Sequence, residues 1–298
     1  MTKSRRSLRN SVKTALSLLV LLPLFFGCSS STSPTYLREN IPQAVKDICK
    51  NEYKVDVHVK LIGKTLWVYL PLENLFEEND KPQKSIERFK VEENRASFPD
   101  DGLKVRYKII PVPEKDKYQQ IKYEKDAAEK INSVWKVLRR VIFSAEDLKK
   151  NGPHFFCIVT ADIKNGFVLR DAFYFQDLKK LSFYHIPVSE FQHRDIQDSA
   201  ISADIIGDKN GDSLRYTDVN MKQFISWQIE QRIKFKFEKP EVGKNADIDG
   251  EILKIIINTL RIYDFRDFSF IELDNLATKN RNLLNRQAVL ENFKKWKF

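Results

Sequence analysis

The segment Phe155–Gln176 constrains the fold most, because apolar and polar residues alternate on both sides of Asn165–Gly166. Alternation with a period of two is typical of β-strands, and Asn-Gly favours a tight two-residue hairpin turn. A turn of that length predicts the register, in which Cys157 faces Tyr174. The sequence therefore predicts an antiparallel hairpin with Cys157 among apolar neighbours.

A second hairpin is predicted at residues 55–70, with Gly63 at its turn. Its second strand is apolar on both faces, which predicts an inner position in a sheet. An amphipathic helix is predicted before each hairpin, one beginning at Ile41 and one over Lys117–Phe143, from apolar residues spaced three and four apart. The predicted class is α+β, with antiparallel hairpins packed against amphipathic helices, and the order can be interpreted as a helix–hairpin unit used twice.

The rest of the chain alternates strand and helix patterns. They predict strands at residues 86–91, 103–110, 233–237 and 268–273 and helices at residues 219–231, 248–263 and 280–298. Pro111 and Pro113 lack the N–H that a β-ladder needs and are predicted to end the strand before them. We therefore expect a division near residue 115, into a region of helix and antiparallel strands, 38–115, and an α+β region with a basic C-terminal helix, 116–298.

The net charge of +10 is concentrated at the two ends of the chain. The first 27 residues contain five basic residues and no acidic one, so the chain from Cys28 onward has 46 basic against 41 acidic residues. A nucleic-acid partner would need a basic face formed by the fold, and we expect none. The nine glycines form neither of the common phosphate-binding motifs, and the GxSxG and HExxH motifs are absent.

The chain begins with a basic stretch, MTKSRRSLRNSVK, followed by the uncharged TALSLLVLLPLFF. An apolar run of about 13 residues is short for a membrane span, which needs about 20, and is typical of an export signal. Gly27 and Cys28 then precede a serine-rich stretch. This segment resembles the signal and lipobox of bacterial lipoproteins, although Phe25 stands where Leu is usual.

The resemblance implies cleavage between Gly27 and Cys28 and attachment of a diacylglyceryl group and acyl chains to Cys28. Residues 1–27 would then be a signal peptide and residues 28–37 a Ser/Thr-rich tether. Ser29 in place of Asp favours the outer membrane over the inner one, with the domain on the periplasmic side. An uncleaved signal anchor and a secreted protein with a free Cys28 are the alternatives. Arg5 and Arg6 resemble part of a twin-arginine export motif, so export by that route is an alternative to the general secretory route.

Cys49 and Cys157 remain once Cys28 is lipidated. An oxidising envelope would permit a disulfide between them, and the alternative is two small buried hydrophobic residues.

The loop at residues 208–218 resembles a calcium loop, since Asp208, Asn210 and Asp212 occupy its first, third and fifth positions. Ser213 replaces the glycine of the usual sharp turn, and the twelfth position lacks its acid. A connecting turn without an ion is the simpler interpretation, and no other cofactor is expected.

Glu190, His193 and Asp195 have a carboxylate–imidazole spacing that some metal sites use in duplicate. No second copy exists, so we interpret them as a solvated helix face.

The C-terminal helix interleaves aromatic residues with Lys294, Lys295 and Lys297, around Trp296. Such a mixture suits an anionic membrane surface or an acidic partner, and a docked terminal helix is the alternative.

The sequence supports three functional hypotheses. The first is an envelope lipoprotein, held by its lipid anchor, that binds another envelope protein through sheet and helix surfaces. The second is a lipid-tethered periplasmic hydrolase with dispersed catalytic residues, and the third is a calcium-stabilised structural module. A deep polar pocket at His185, His193 or Asp208 would favour the hydrolase, and an exposed apolar groove would favour binding.

Overall fold

Two mixed β-sheets, each built from hairpins and packed against helices, form the fold in the computed structural model, which describes residues 36–144, 152–238 and 242–295. This arrangement confirms the predicted α+β class. Residues from Tyr36 onward form one compact unit.

The described residues form seven helices and nine strands. The helices are α1 (Ile41–Tyr53), α2 (Lys125–Phe143), α3 (Phe175–Ser182), α4 (Val188–Arg194), α5 (Met221–Glu238), α6 (Ile248–Ile262) and α7 (Arg286–Lys295). The strands are β1 (His58–Ile62), β2 (Thr65–Leu72), β3 (Phe76–Ser97), β4 (Gly102–Tyr123), β5 (Phe155–Asp162), β6 (Phe167–Tyr174), β7 (Ile196–Ile201), β8 (Phe270–Asn275) and β9 (Asn280–Asn285). Short 3-10 turns lie at Arg38–Asn40 and Ala203–Ile205.

Sheet 1 has the strand order β1-β2-β5-β6-β7 and contains both predicted hairpins. The hairpins join through β2 and β5, which are parallel, with Leu66 opposite Phe156. Strand β2 is buried along nearly its whole length, as its two apolar faces predict. Its predicted inner position is confirmed.

Helices α1 and α2 cover one face of sheet 1, and the helix–hairpin order occurs twice as predicted. Pro42 lies in the first turn of α1, where its missing N–H costs no hydrogen bond. The core on this face is formed by Val45 and Ile48 of α1, Val134 and Leu138 of α2, and Leu66, Val68, Phe156, Ile158 and Phe173 of the sheet. The opposite face of sheet 1 packs Tyr69, Cys157 and Val159 against Phe224 of α5.

Sheet 2 has the strand order β3-β4-β8-β9, with β4 parallel to β8. Helices α5 and α6 supply most of the apolar side chains packed against it. Its core comprises Ile225, Ile229, Ile233 and Phe237 of α5, Ile252, Ile256 and Leu260 of α6, and Phe89, Leu103, Val105, Tyr107, Ile271 and Leu273 of the strands. Helix α5 thus contacts both sheets.

The prediction that Pro111 and Pro113 end a strand is wrong. Strand β4 continues to Tyr123, and residue 115 within it pairs with Glu87 of β3. The ladder is irregular at this point, since three residues of β4 lie opposite Arg88 alone. A bulge accommodates prolines because residues within it are released from regular pairing.

One other predicted element has the wrong type, and two predicted helices begin later than expected. The helix expected from Lys117 begins at Lys125, because the Glu124 side chain accepts the Ala127 N–H as its N-cap. The strand expected at residues 233–237 is the last part of α5, where Ile233 and Phe237 lie one helical turn apart in the core. The C-terminal helix begins at Arg286, after β9.

The predicted register of the β5–β6 hairpin is wrong by two residues. Cys157 faces Ala172 and Phe155 faces Tyr174, because the loop contains four residues. The Asp162 carboxylate accepts the backbone N–H groups of Lys164 and Asn165 and stabilises this longer loop. A shift of two leaves every side chain on its predicted face, so Cys157 is buried as expected.

Candidate functional site: a polar groove along helix α5

The structure places His185, His193 and Asp208 in three different surroundings. His185 follows α3, with its ring 6.2 Å from that of Phe183. His193 lies in α4, with its ring 6.1 Å from that of Phe235. Asp208 lies in a loop between β7 and α5. These three residues therefore do not share a pocket, and His193 lines a small depression of about 130 Å³ with Arg232 and Phe235.

The predicted calcium loop is organised around the Asp208 side chain. Asp208 Oδ1 accepts the N–H groups of Asn210, Gly211 and Asp212, and Oδ2 accepts the N–H and Oγ–H of Ser213. Partial burial would raise the pKa of Asp208, but hydrogen bonds from Ser213 and the backbone outweigh this effect and lower the pKa to about 2. Within the described part of the chain, no cluster of three His, Cys, Asp or Glu residues is arranged to hold a metal.

The three residues of the predicted carboxylate–imidazole motif do not form a unit. Glu190 accepts the Nε–H of Arg194 at 2.8 Å. Asp195 is 5% exposed, so the interpretation as a solvated helix face is wrong for this residue. No local pattern indicates that Asp195 is buried, because its partners Asp171 and Gln197 lie on β6 and β7.

Asp195 lies beside a second buried carboxyl group, Asp171 of β6. Gln197 Nε2 lies 3.0 Å from Asp171 Oδ1, to which it donates, and 3.4 Å from Asp195 Oδ2. Burial raises the pKa of Asp171 to about 6. Burial, the Asp171 charge and a hydrogen bond to Asp171 raise the pKa of Asp195 further above its usual range. Burial and mutual repulsion therefore favour a state in which the two carboxyl groups share one proton.

Arg194 forms a second buried polar cluster nearby. Its Nη1 donates to Asp177 Oδ1 at 2.7 Å, and Tyr263 Oη donates to Asp177 Oδ2 at 2.9 Å. These bonds connect α3, α4 and the end of α6. Each buried charge has a partner, so we interpret this cluster as structural.

The clearest candidate site is a groove along α5, which we call the α5 groove. It consists of two depressions of about 650 and 830 Å³ that share Arg95, Trp227 and Glu230. One end is also lined by β7 and β6, through Ile196, Gln197, Asp198 and Arg170. The other end is also lined by Phe98, Phe265 and Asn220. The depression beside β7 is mainly polar and carries both signs of charge, whereas the other depression is more apolar, through Phe98, Met221 and Phe265.

Two edge strands border the α5 groove. Strand β7 is the last strand of sheet 1, and β3 is the first strand of sheet 2. An edge strand presents backbone N–H and C=O groups that can pair with a further strand. The groove thus combines a helix with the borders of two sheets.

Trp227 lies in the middle of the α5 groove. The guanidinium carbon of Arg170 is 4.8 Å from the centre of the Trp227 ring, and Arg170 Nη2 also donates to Asp198 at 3.0 Å. Cation–π and ionic contacts hold this arrangement. Trp227 can therefore offer a fixed aromatic surface to a ligand.

Glu230 connects α5 to β3 inside the groove. Its Oε1 accepts the Ala96 N–H at 2.7 Å, and its backbone carbonyl accepts Asn94 Nδ2–H at 2.7 Å. Burial raises the pKa of Glu230, and the nearby negative charge of Asp198 raises it further. The hydrogen bond from Ala96 and the positive charge of Arg95 lower it, but by less. Glu230 is thus an acid whose proton affinity is raised in an open groove.

The other predicted site residues lie apart from this groove or outside the described residues. Cys49 and Cys157 are free, buried thiols on opposite faces of sheet 1, and burial raises the pKa of each to about 12. Gly27 and Cys28 lie outside the described residues, as do Trp296, Lys297 and the side chains of Lys294 and Lys295. Among the described helices, none has both the length and the apolarity to cross a bilayer.

Comparisons with protein families, with curated proteins and with solved structures found no match to this chain.

Proposed function

We propose that this protein is a lipid-anchored binding module of the bacterial cell envelope, which binds an extended peptide segment of an envelope partner in the α5 groove. The observation that carries the binding site is the position of the groove between two edge strands, with Trp227 at its centre. The anchor rests on the resemblance of residues 1–30 to a lipoprotein signal, with Cys28 as the lipidated residue.

The chemistry of the groove suits an extended peptide. Such a segment can pair its backbone with the open edge of β7 and place alternate side chains over Trp227 and the charged lining. Arg95 and Lys234 offer positive charge, whereas Glu93, Asp198 and Glu238 offer negative charge. The polar lining of mixed charge in the depression beside β7 favours a polar segment there over an apolar helix.

Site-specific photocrosslinking in cells tests the binding site. A photoreactive amino acid replaces Gln197, at the β7 border of the groove, and the matched control replaces Leu283 on β9. We expect position 197 to capture one envelope protein reproducibly, through residues of a single extended segment. Capture should fall when Trp227→Ala is added, because the aromatic surface is lost.

Equal capture at positions 197 and 283 would contradict the proposed groove. Capture at position 197 that Trp227→Ala leaves unchanged would also contradict it. Mass spectrometry of the N-terminal peptide tests the anchor separately, since the peptide should begin at Cys28 and carry lipid. A peptide that retains Gly27 or lacks the lipid would contradict the anchor alone.

A hydrolase is the second candidate, and Glu230 is the observation that favours it. Glycoside hydrolases use one carboxylic acid with a raised pKa and one ionised carboxylate on either side of the bond. Glu230 and Asp198 line the same groove, and the Asp198 charge contributes to the raised pKa of Glu230. Trp227 lies beside them and offers an aromatic ring on which a sugar could stack.

The hydrolase candidate is tested with Glu230→Gln and with envelope glycans as the substrate. A hydrolase should release soluble fragments with the native protein and lose that activity with Glu230→Gln, while Glu73→Gln at an exposed position keeps it. Activity that survives Glu230→Gln would exclude Glu230 as the acid, and no release by the native protein would leave binding as the function.

A further inference from the structure

The surface where the described chain begins is both aromatic and basic. The Tyr36 N–H donates to the Ser144 carbonyl at 3.1 Å, which holds the first described residue beside the end of α2. Phe143 precedes Ser144, and its ring is 5.4 Å from that of Phe183. Any segment that connects Cys28 to the fold must therefore arrive beside these two rings.

Large apolar side chains are exposed at this point. Phe143 is 42% exposed, Phe183 is 54% exposed and Tyr184 is 93% exposed. Three exposed aromatic residues close together are unusual on a surface that only meets water. Aromatic side chains with this kind of exposure occur where proteins meet the headgroup region of a membrane.

Basic side chains surround the aromatic residues. Lys136, Arg139 and Arg140 of α2 line a shallow depression with Phe143 and Phe183, and Lys179 and Lys180 lie in the last turn of α3. Arg140 pairs with Glu52 of α1 at 2.7 Å. Among the residues that the structure describes, five basic side chains and one acidic partner give this surface a positive charge, which is complementary to anionic lipid.

We infer that this surface, which we call the anchor face, docks on an anionic phospholipid membrane and holds the domain against the bilayer. The inference rests on the proposed lipidation of Cys28. The eight residues from Cys28 to Thr35 span at most about 30 Å, so the anchor face stays within that distance of the membrane. A lipid chain with a basic patch supplies the two signals that stable peripheral anchoring needs.

The test uses the full-length lipidated protein in vesicles of phosphatidylcholine, with and without phosphatidylglycerol. An environment-sensitive dye is attached at Tyr184→Cys on the anchor face, and the control carries it at Leu283→Cys, where the native residue is 68% exposed. The buried Cys49 and Cys157 should not react with the dye. We expect several-fold weaker quenching by aqueous iodide at position 184 than at position 283 on anionic vesicles.

Charge-reversing substitutions test whether the basic residues of the anchor face attract it to anionic lipid. Lys136→Glu with Arg139→Glu should return iodide quenching at position 184 to the level at position 283. Lys164→Glu with Lys209→Glu, which changes the net charge equally on other loops, should leave position 184 shielded. Raised salt should weaken the shielding, because it screens exposed charges.

Equal quenching at positions 184 and 283 overturns the docking inference, and the lipid anchor still stands if the protein floats with the vesicles. Shielding that is unchanged by the Lys136→Glu and Arg139→Glu pair also overturns it. A protein whose Cys28 carries no lipid overturns the proposed anchor and this inference together.

Discussion

Asp171 and Asp195 place two carboxyl groups side by side where almost no water reaches them. Because burial raises both pKa values, the folded protein binds more protons than the unfolded chain over a defined pH range. That range begins near pH 4, the usual pKa of Asp, and extends past pH 6. This pair therefore favours the folded state most at low pH and loses that effect as the pH rises.

Asp195→Asn should stabilise the protein above neutral pH. It removes the acid with the more strongly raised pKa and keeps a donor that can reach Asp171. We expect the free energy of unfolding at pH 8 to rise by about 1–3 kcal/mol and its fall between pH 4 and pH 7 to become shallower. Urea unfolding across this pH range measures both effects, with Glu73→Gln as an exposed control. An unchanged pH dependence would contradict the shared proton.

Asp208 behaves in the opposite way, because its hydrogen bonds favour the ionised form. A pKa lowered to about 2 means that its contribution is present above pH 4 and is lost as the pH falls towards 2. Asp208→Ala should lower the free energy of unfolding at pH 7 by about 1–3 kcal/mol, and by less at pH 3. A loss of equal size at both pH values would show that the ionised form is not what stabilises the loop.

Calcium should not stabilise this loop, because both carboxylate oxygens of Asp208 already accept hydrogen bonds. We expect the same melting temperature in calcium and in chelator. A melting temperature that rises with calcium would restore the third functional hypothesis, a calcium-stabilised module.

At the scale of elements, α5 explains why one local pattern misleads. Alternating apolar residues at positions 233, 235 and 237 have the period of a strand, but the helix buries positions 233 and 237 one turn apart. A helix that packs on two sheets has apolar residues around most of its circumference, which hides the usual helical stripe. Packing against the sheets, and not the local alternation, therefore determines that residues 233–237 are helical.

Ile229→Ala tests the role of α5 as a core element. Ile229 is fully buried against sheet 2, so its truncation should lower the free energy of unfolding by about 2–5 kcal/mol. Lys234→Ala, exposed on the same helix, should change it by less than about 0.5 kcal/mol. Chemical unfolding gives both values, and a small loss for Ile229→Ala would mean that α5 is not firmly packed.

The hairpins and amphipathic helices were predictable because their patterns are local. This local information lies in the alternating strands on either side of Asn165–Gly166, in the two apolar faces of β2 and in the apolar stripe of α2. The α5 groove could not be predicted in this way, since Arg170, Asp198 and Trp227 come from three elements. Their meeting depends on how β7 lies beside α5, which no short pattern encodes.

At the scale of the whole molecule, the two sheets share α5 and should not unfold separately. Helix α5 contributes Ile225 and Ile229 to the core of sheet 2 and Phe224 to the core on sheet 1. We expect one cooperative transition in which near-ultraviolet and far-ultraviolet circular dichroism coincide. Two resolved transitions would show that each sheet is stable without the other.

The parallel pairing of β4 with β8 has a consequence for the order in which the chain is made. Residues 102–107 of β4 can pair with β8 only after residues 270–275 have been synthesised. Until then one side of a long strand stays open to pairing with another molecule. A chain released after β4 but before residue 270 would thus keep this edge unpaired, whereas a chain that extends beyond residue 275 could cover it with its own strand.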